Sequence, residues 1–271
     1  MHRQYFHAAS RTISYFDSAP GNRDARVVLL MHAFPLGAAM WEPQAKALPA
    51  GWRLIAPDVR GFGGSTIDQP DSDPQMDDYA NDTLELLRDL GIESAVVGGM
   101  SMGGYATMAM LRRQPRVAQA VVLADTRASA DTPEGRANRR SMLALVDREG
   151  PSGVARDMMP RLLGKTTHDE RPTVEPLVRR LIKQQSPAAI RGAIHRMMDR
   201  PDSHEVLQRL STPVLIVVGD EDVMTPVDDS RRMHGAIQGS ELVILPRAGH
   251  LSNLERPDLF NDALNGFLGR L

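Results

Sequence analysis

The chain reads as an α/β protein, a mostly parallel sheet wrapped by helices on both faces, and three observations predict this. First, short apolar runs at 27–31, 53–57, 120–124, 213–218 and 241–245 alternate with segments of helical period. Runs apolar at nearly every position suit strands covered on both faces, and the alternation with helices calls for crossover connections between parallel strands. Second, the one long stretch without a strand-like run, 132–204, is helical throughout and falls between two sheet strands. Third, Gly98-Gly99-Met100-Ser101-Met102-Gly103-Gly104 follows the apolar run Ala95-Val96-Val97 and precedes a helical pattern starting at Tyr105.

Taken in order, Tyr5-Phe6 and 12–16 form two short antiparallel strands flanking a turn at Ala8-Ala9-Ser10-Arg11. The buried strand 27–31 ends in the turn-rich loop 32–37, and a helix begins near Met40-Trp41 and runs towards Leu48. The strand 53–57 leads into the loop 58–65 and a polar, Pro-rich stretch from Ile67 to Gln75. Residues 77–90 form a helix with Tyr79, Leu84, Leu87 and Leu90 in period and Gly91 placed to cap its C-terminus. After the serine-bearing turn, a helix runs through Met108 and Leu111 to Gln114 and stops at Pro115, and the strand 120–124 closes at Asp125-Thr126-Arg127. Helical segments follow at 133–148, 154–163, 174–185 and 187–198, separated by Gly150-Pro151, Gly164 and Ser186-Pro187. The strand at 213–218, a helix at 228–237, the strand at 241–245 and a closing helix at 257–268 complete the chain.

Composition narrows the function classes. A length of 271 residues suits one large domain with a smaller insertion: a core of 1–127 and 205–271, and a helical cap of 128–204. A net charge of -2 offers no attraction to nucleic acid or to an anionic membrane, and neither is expected as a partner. The Arg pairs 112-113, 139-140, 179-180 and 231-232 are scattered and read as solvated helix faces. The absence of cysteine excludes disulfides, thiol nucleophiles and Cys-ligated metals. His7, His168, His195, His204 and His234 show no metal-ligand spacing, so no metal is expected. The N-terminus lacks a signal-peptide layout, and no apolar stretch approaches the roughly 20 residues that span a bilayer. A soluble, cytoplasmic protein is the expectation.

Gly99-Met100-Ser101-Met102-Gly103 fits G-x-S-x-G, the pattern of a nucleophile elbow. A serine on so sharp a turn sits in strained backbone, and the flanking positions approach too closely for side chains. Glycine-rich strand-to-helix turns also occur without catalysis, so the rest of the chain decides. A serine hydroxyl needs a base within hydrogen-bond reach, and the base needs an orienting acid. In a parallel sheet these groups converge from loops at the C-terminal strand edges. Gly219-Asp220-Glu221-Asp222 follows one late strand and Gly249-His250 follows the next, giving the order Ser101, Asp222, His250.

With Asp125-Thr126-Arg127, Gly219-Asp220-Glu221-Asp222 and Gly249-His250-Leu251-Ser252-Asn253-Leu254-Glu255, the chain resembles the α/β-hydrolase superfamily over its whole length apart from the helical block. More narrowly it resembles bacterial carboxylesterase-like hydrolases and 3-oxoadipate enol-lactonases. The resemblance implies the α/β-hydrolase fold, with an eight-stranded, mostly parallel sheet and a helical cap inserted between two strands. It places the catalytic acid at Asp222, with Asp220 bracing the turn; Asp125 is the second candidate, because some relatives carry the acid one strand earlier. It also places the oxyanion hole at the backbone N–H groups of Met102 and Phe34, with His32 structural and 58–65 a supporting loop. The latter lacks the lysine of a phosphate-binding loop.

The helical block is expected to lie over the serine as a lid, excluding water and supplying apolar walls. Met142, Leu143, Met158, Met159, Leu162, Leu163, Met197 and Met198 are the candidates, with Met158, Met197 and, beside the oxyanion loop, Trp41 chosen as substrate-binding residues. A methionine-rich wall suits a broad, greasy acyl pocket. The function implied is a serine esterase or lactonase acting on a small-molecule ester or lactone without cofactor, as a monomer or homodimer. The alternatives are C–C bond hydrolysis of aromatic ring-cleavage products, a cofactor-free haloperoxidase-like side activity, and a non-catalytic ligand-binding member of the fold.

Overall fold

The computed structural model describes residues 2–8, 10–66 and 73–271. Most of the polar, Pro-rich stretch expected from Ile67 to Gln75 lies outside the described residues. The strands are β1 (His2–Ala8), β2 (Arg11–Asp17), β3 (Arg26–Met31), β4 (Trp52–Pro57), β5 (Ala95–Met100), β6 (Ala118–Ala124), β7 (Val214–Gly219) and β8 (Glu241–Leu245). They form one eight-stranded sheet in the order β1-β2-β4-β3-β5-β6-β7-β8. β2 runs antiparallel to both of its neighbours, β1 and β4, and the strands from β4 through β3, β5, β6 and β7 to β8 pair in parallel. This is the α/β-hydrolase fold.

The helices are α1 (Glu42–Ala47), α2 (Met76–Asp89), α3 (Met102–Arg113), α4 (Pro133–Leu162), α5 (Lys165–Glu170), α6 (Val174–Lys183), α7 (Pro187–Met198), α8 (His204–Gln208), α9 (Val227–Ala236), α10 (Ser252–Glu255) and α11 (Pro257–Leu268). Side chains alternate across a strand, so the unbroken burial of β5 and β7 requires cover on both faces. Two helix groups supply it: α2, α3, α8 and α9 pack together, as do α1, α10 and α11. Each fully buried Leu, Val or Ile, such as Val28, Leu29, Leu30 or Ile216, contributes about 1.5–3 kcal/mol relative to exposure.

Some elements differ from expectation for identifiable reasons. The helix expected from Met40 is instead a 3₁₀ turn at Ala38–Trp41 followed by α1. Pro43 stands in the first turn of α1, where its missing N–H costs nothing; in one continuous helix it would break the ladder. The strand at Ala95 runs three residues further, through Gly98 and Gly99, because a Cβ on Gly98 would lie 2.4 Å from the Val122 carbonyl oxygen on β6. The expected break at Gly150-Pro151 is present: Gly150 takes φ 60° and ψ -160° and divides α4. The caps follow the local sequence, with Thr132 accepting from the Gly135 N–H and Ser186 from the Ala189 N–H. The short helices α5, α8 and α10, of six, five and four residues, are too short to show a period and were not anticipated.

Between β6 and β7 the described chain is helical, with α4 packed on both α6 and α7. Among the described residues no helix is long and apolar enough to cross a membrane.

Candidate active site

Ser101 sits between β5 and α3 with φ 54° and ψ -113°, a backbone conformation costly for any residue but glycine. The surroundings hold it there. Its N–H donates to the Ala124 carbonyl at 2.9 Å, and the Thr126 hydroxyl donates to its carbonyl at 2.8 Å. A Cβ on Gly99 would stand 2.3 Å from the Gly103 carbonyl carbon, and one on Gly103 would stand 2.1 Å from the Met31 carbonyl oxygen. The turn is therefore tight because two backbone segments touch where those glycines lie.

His250 reaches this turn from the far end of the sheet. Its Nε2 lies 2.8 Å from Ser101 Oγ, and its Nδ1 lies 2.8 Å from Asp222 Oδ2. A carboxylate accepts only, so Nδ1 carries the proton and Nε2 is free to accept from the serine hydroxyl. Asp222 is itself cradled: Oδ1 accepts from the Met224 and Thr225 N–H groups at 2.8 and 2.9 Å, and Oδ2 from the Thr225 hydroxyl at 2.5 Å. This is the turn an Asp makes with backbone two and three residues ahead. Burial pushes the Asp222 carboxyl up, but the His250 charge and the hydrogen bonds from His250 and Thr225 outweigh it and hold it below the usual carboxylate range.

The neighbouring acids do other work. Asp220 accepts from the Arg247 N–H at 2.7 Å, bracing the loop ahead of the histidine. Asp125, at φ 41° and fully buried, takes the Gly219 N–H at 2.9 Å and the Ser252 hydroxyl, and makes no hydrogen bond to His250 among the described residues. Burial, reinforced by the Asp222 charge, raises its carboxyl well above the usual range, which favours the neutral form. His32 accepts the Val59 N–H at Nε2, which leaves its proton on Nδ1 for the Ala33 carbonyl at 3.0 Å. Burial lowers its pKa, so it is a neutral brace for the loop after β3. The loop 58–65 wraps the Asp58 carboxylate, which accepts from the Ala38 N–H at 2.7 Å and the Ser14 hydroxyl at 2.5 Å; a Cβ on Gly63 would collide with it.

A cavity of about 590 Å³ opens over Ser101 and His250, with Phe34, Met142, Met158 and Met197 in its wall. Met102, fully buried, is the first residue of α3 beside Ser101. Trp41 is a correction: it is fully buried, its ring lies 5.9 Å from that of Phe260, and it does not line the cavity. Although it lies just beyond the loop after β3, it closes a 3₁₀ turn and is buried in the core. Met159, Leu162 and Leu163 likewise pack in the hydrophobic core rather than on the cavity.

The wall is also less greasy than the methionines suggest. Arg127, Arg139, Arg148 and Arg161 line it with Asp131 and Asp157, and each arginine has a carboxylate within ion-pair distance: Asp229, Asp131, Glu149 and Asp157 in turn. Arg139, half of an arginine pair read as a solvated helix face, donates through Nε to Asp131 at 2.9 Å. The signal missed was register: Asp131 lies just before the Thr132 cap of α4 and Arg139 in its second turn, and the sequence did not distinguish the inner face of that helix.

The model of the Alpha/beta hydrolase family matches residues 27–263 of this chain. Among curated proteins the chain is similar to 3-oxoadipate enol-lactonase 1 of Acinetobacter baylyi, 27% identical over 95% of this chain and 93% of that protein. Among solved structures it is similar to a thermophilic esterase from Thermogutta terrifontis determined with malate bound, with a TM-score of 0.92 and 34% identity over 100% of this chain and 99% of that one. It is also similar to the enol-lactonase of Burkholderia xenovorans LB400, with a TM-score of 0.89 and 25% identity over 98% of this chain and 100% of that one. The fold, the match across most of the chain and these relatives agree: the chain belongs to the alpha/beta hydrolase family.

Proposed function

We propose that this protein is a serine hydrolase that cleaves a carboxylic ester or lactone whose acid or alcohol part carries a free carboxylate. The observation that carries the reaction class is the unbroken line of contacts from Asp222 through His250 to Ser101, 2.8 Å at each step, at the floor of the cavity. His250 takes the Ser101 proton as Oγ attacks the carbonyl carbon, and Asp222 holds the tautomer and stabilises the imidazolium. The tetrahedral oxyanion is received by the backbone N–H groups of Met102 and Phe34, each such donor contributing about 2.7–4 kcal/mol to transition-state stabilisation. The alkoxide leaves with the His250 proton, and a water activated by the same imidazole then releases the acid from the acyl-enzyme.

The helical block, 128–204, serves as a lid. Met142, Met158 and Met197 supply the apolar part of the wall. Support for a carboxylate on the substrate comes from the wall's arginines: Arg127, Arg139, Arg148 and Arg161 each meet one protein carboxylate, and the five N–H donors of a guanidinium leave others for a ligand. A guanidinium fork matches a carboxylate in shape as well as sign. Two relatives give the reading further support, one named a 3-oxoadipate enol-lactonase and the other an esterase determined with malate bound.

The test is a turnover screen of p-nitrophenyl esters of graded acyl length, their dicarboxylic hemiester counterparts, and enol- and γ-lactones, run with wild type and Ser101→Ala. Turnover and phosphonate labelling are expected in wild type and not in Ser101→Ala. Labelling that survives Ser101→Ala would sink the mechanism. Equal kcat/KM for neutral and acid-bearing esters of one length would remove the carboxylate from the substrate class.

A further inference from the structure

His250 is carried by very little secondary structure. It follows a loop in which Arg247 takes φ 61°, and it precedes α10, a helix of only four residues. A single turn fixes several dihedrals for few hydrogen bonds and has no stability of its own. The position of the imidazole is therefore set by what the neighbouring side chains hold. Ser252 donates to Asp125 at the end of β6, and Asn253 donates to the Met40 carbonyl at 3.0 Å and to Gln44 Oε1 at 3.1 Å. The third anchor, Glu255, is fully buried and does more than fasten α10.

Its Oε1 accepts the Leu251 N–H at 3.0 Å, and its Oε2 accepts the Gly249 N–H at 3.0 Å. One carboxylate thus grips the backbone immediately before and immediately after His250. The same Oε2 also accepts the Gly164 N–H at 2.8 Å and the Thr167 hydroxyl at 2.6 Å, both from the helical block. The two backbones approach so closely that a Cβ on Gly249 would stand 2.2 Å from the Gly164 nitrogen. Arg171, at the end of α5, adds a hydrogen bond to the Glu255 carbonyl at 2.5 Å. Four donors, two from the backbone flanking His250 and two from the helical block, thus meet on one carboxylate.

We propose that Glu255 is a positioning residue for His250, setting the register of the imidazole and the seating of the helical block through one shared carboxylate. The proposal rests on the reading of His250 as the general base. His250 has to stand 2.8 Å from both Ser101 and Asp222 at once. A misplacement of about 1 Å from a change remote from the chemistry can cost on the order of 100-fold in rate.

The test is Glu255→Gln, which keeps the volume but turns an amide donor towards a cluster of donors. Thr167→Val is the milder companion: it removes one donor on the block side and leaves the carboxylate. Two readouts are taken on each variant, both normalised to folded protein by circular dichroism. One is kcat and KM per phosphonate-titrated site with a p-nitrophenyl ester; the other is the downfield proton resonance of the His250 Nδ1–H shared with Asp222. For Glu255→Gln, kcat is expected to fall about 10- to 100-fold with KM within about two-fold, and the resonance to shift or broaden. Thr167→Val is expected to lower kcat by about two- to five-fold, with a smaller shift in the same direction.

Glu255→Gln with wild-type kcat per titrated site and an unmoved resonance, or a loss confined to thermal stability, overturns the proposal. If Glu255→Gln does not fold, Thr167→Val carries the test, and its wild-type kcat and unmoved resonance overturn the coupling. Absence of Ser101-dependent turnover in wild type counts against the hydrolase reading instead, and the resonance still reports whether Glu255 places His250.

Discussion

Asp125 and Asp222 follow adjacent strands, β6 and β7, yet of the two it is Asp222 that reaches the His250 imidazole, with its Oδ2 2.8 Å from Nδ1. Asp125 is turned away onto the Gly219 N–H and the Ser252 hydroxyl, and its own carboxyl is biased towards the neutral form by burial and by the Asp222 charge. Two carboxylates near one histidine thus divide into an orienting anion and a neutral structural link.

The two should separate cleanly by substitution. Asp222→Asn leaves the shape but removes the acceptor that fixes the tautomer, and kcat is expected to fall on the order of 10³- to 10⁴-fold. Asp125→Asn resembles the neutral form already favoured and is expected to keep kcat within about three-fold. The sign of its pH effect follows from the raised pKa. Between the unfolded carboxyl value and the folded one, the native state binds the extra proton, so wild-type stability falls as pH rises through that window, by up to about 1.4 kcal/mol per unit. Asp125→Asn abolishes that slope, so its advantage in denaturant melts should grow from pH 4 upwards; a constant difference would contradict the assignment.

Glycine substitutions test the elbow against a control. A Cβ at Gly103 meets the Met31 carbonyl oxygen at 2.1 Å, backbone that cannot move without displacing β3, and Gly103→Ala is expected to cost roughly 2–4 kcal/mol and most activity. Gly235, inside α9, has nothing within 4 Å of the same atom. Gly235→Ala is expected to raise stability by about 0.5–1 kcal/mol and leave kcat unchanged, both read by urea melts and ester assay.

Trp41→Phe separates core from pocket. Because Trp41 packs on Phe260 and its buried Nε1 has no hydrogen-bond partner among the described residues, the substitution is expected to cost less than the roughly 3–5 kcal/mol of a Trp→Ala change. Its KM values across the ester panel should match wild type, and a chain-length-dependent change in KM would return Trp41 to the substrate site.

Arg139→Gln addresses the charged wall. Arg200 still pairs with Asp131 at 2.6 Å, so the carboxylate is not left alone and the lid should stay folded. KM is expected to rise about 5- to 30-fold for an acid-bearing ester and to stay within two-fold for its neutral counterpart, the loss of one charge-assisted hydrogen bond. Equal effects on both would assign Arg139 a purely structural role.

The alternation of apolar runs with helical periods, the serine turn and the chain order of Ser101, Asp222 and His250 were all legible before any coordinates, because each is a local property. A strand buried on both faces needs consecutive apolar residues, and the Asp222 turn folds onto its own next three residues. The lines of sight between elements were not local. Whether Trp41 faces core or cavity depended on the 3₁₀ turn at Ala38–Trp41, and which arginines of α4 line the cavity depended on how that helix is divided at Gly150. The meeting of Gly164, Thr167, Gly249 and Leu251 on one Glu255 carboxylate joins residues up to 91 positions apart. Contacts of that separation carry no periodic signature, since the sequence encodes each partner's chemistry but only packing brings the partners within hydrogen-bond distance.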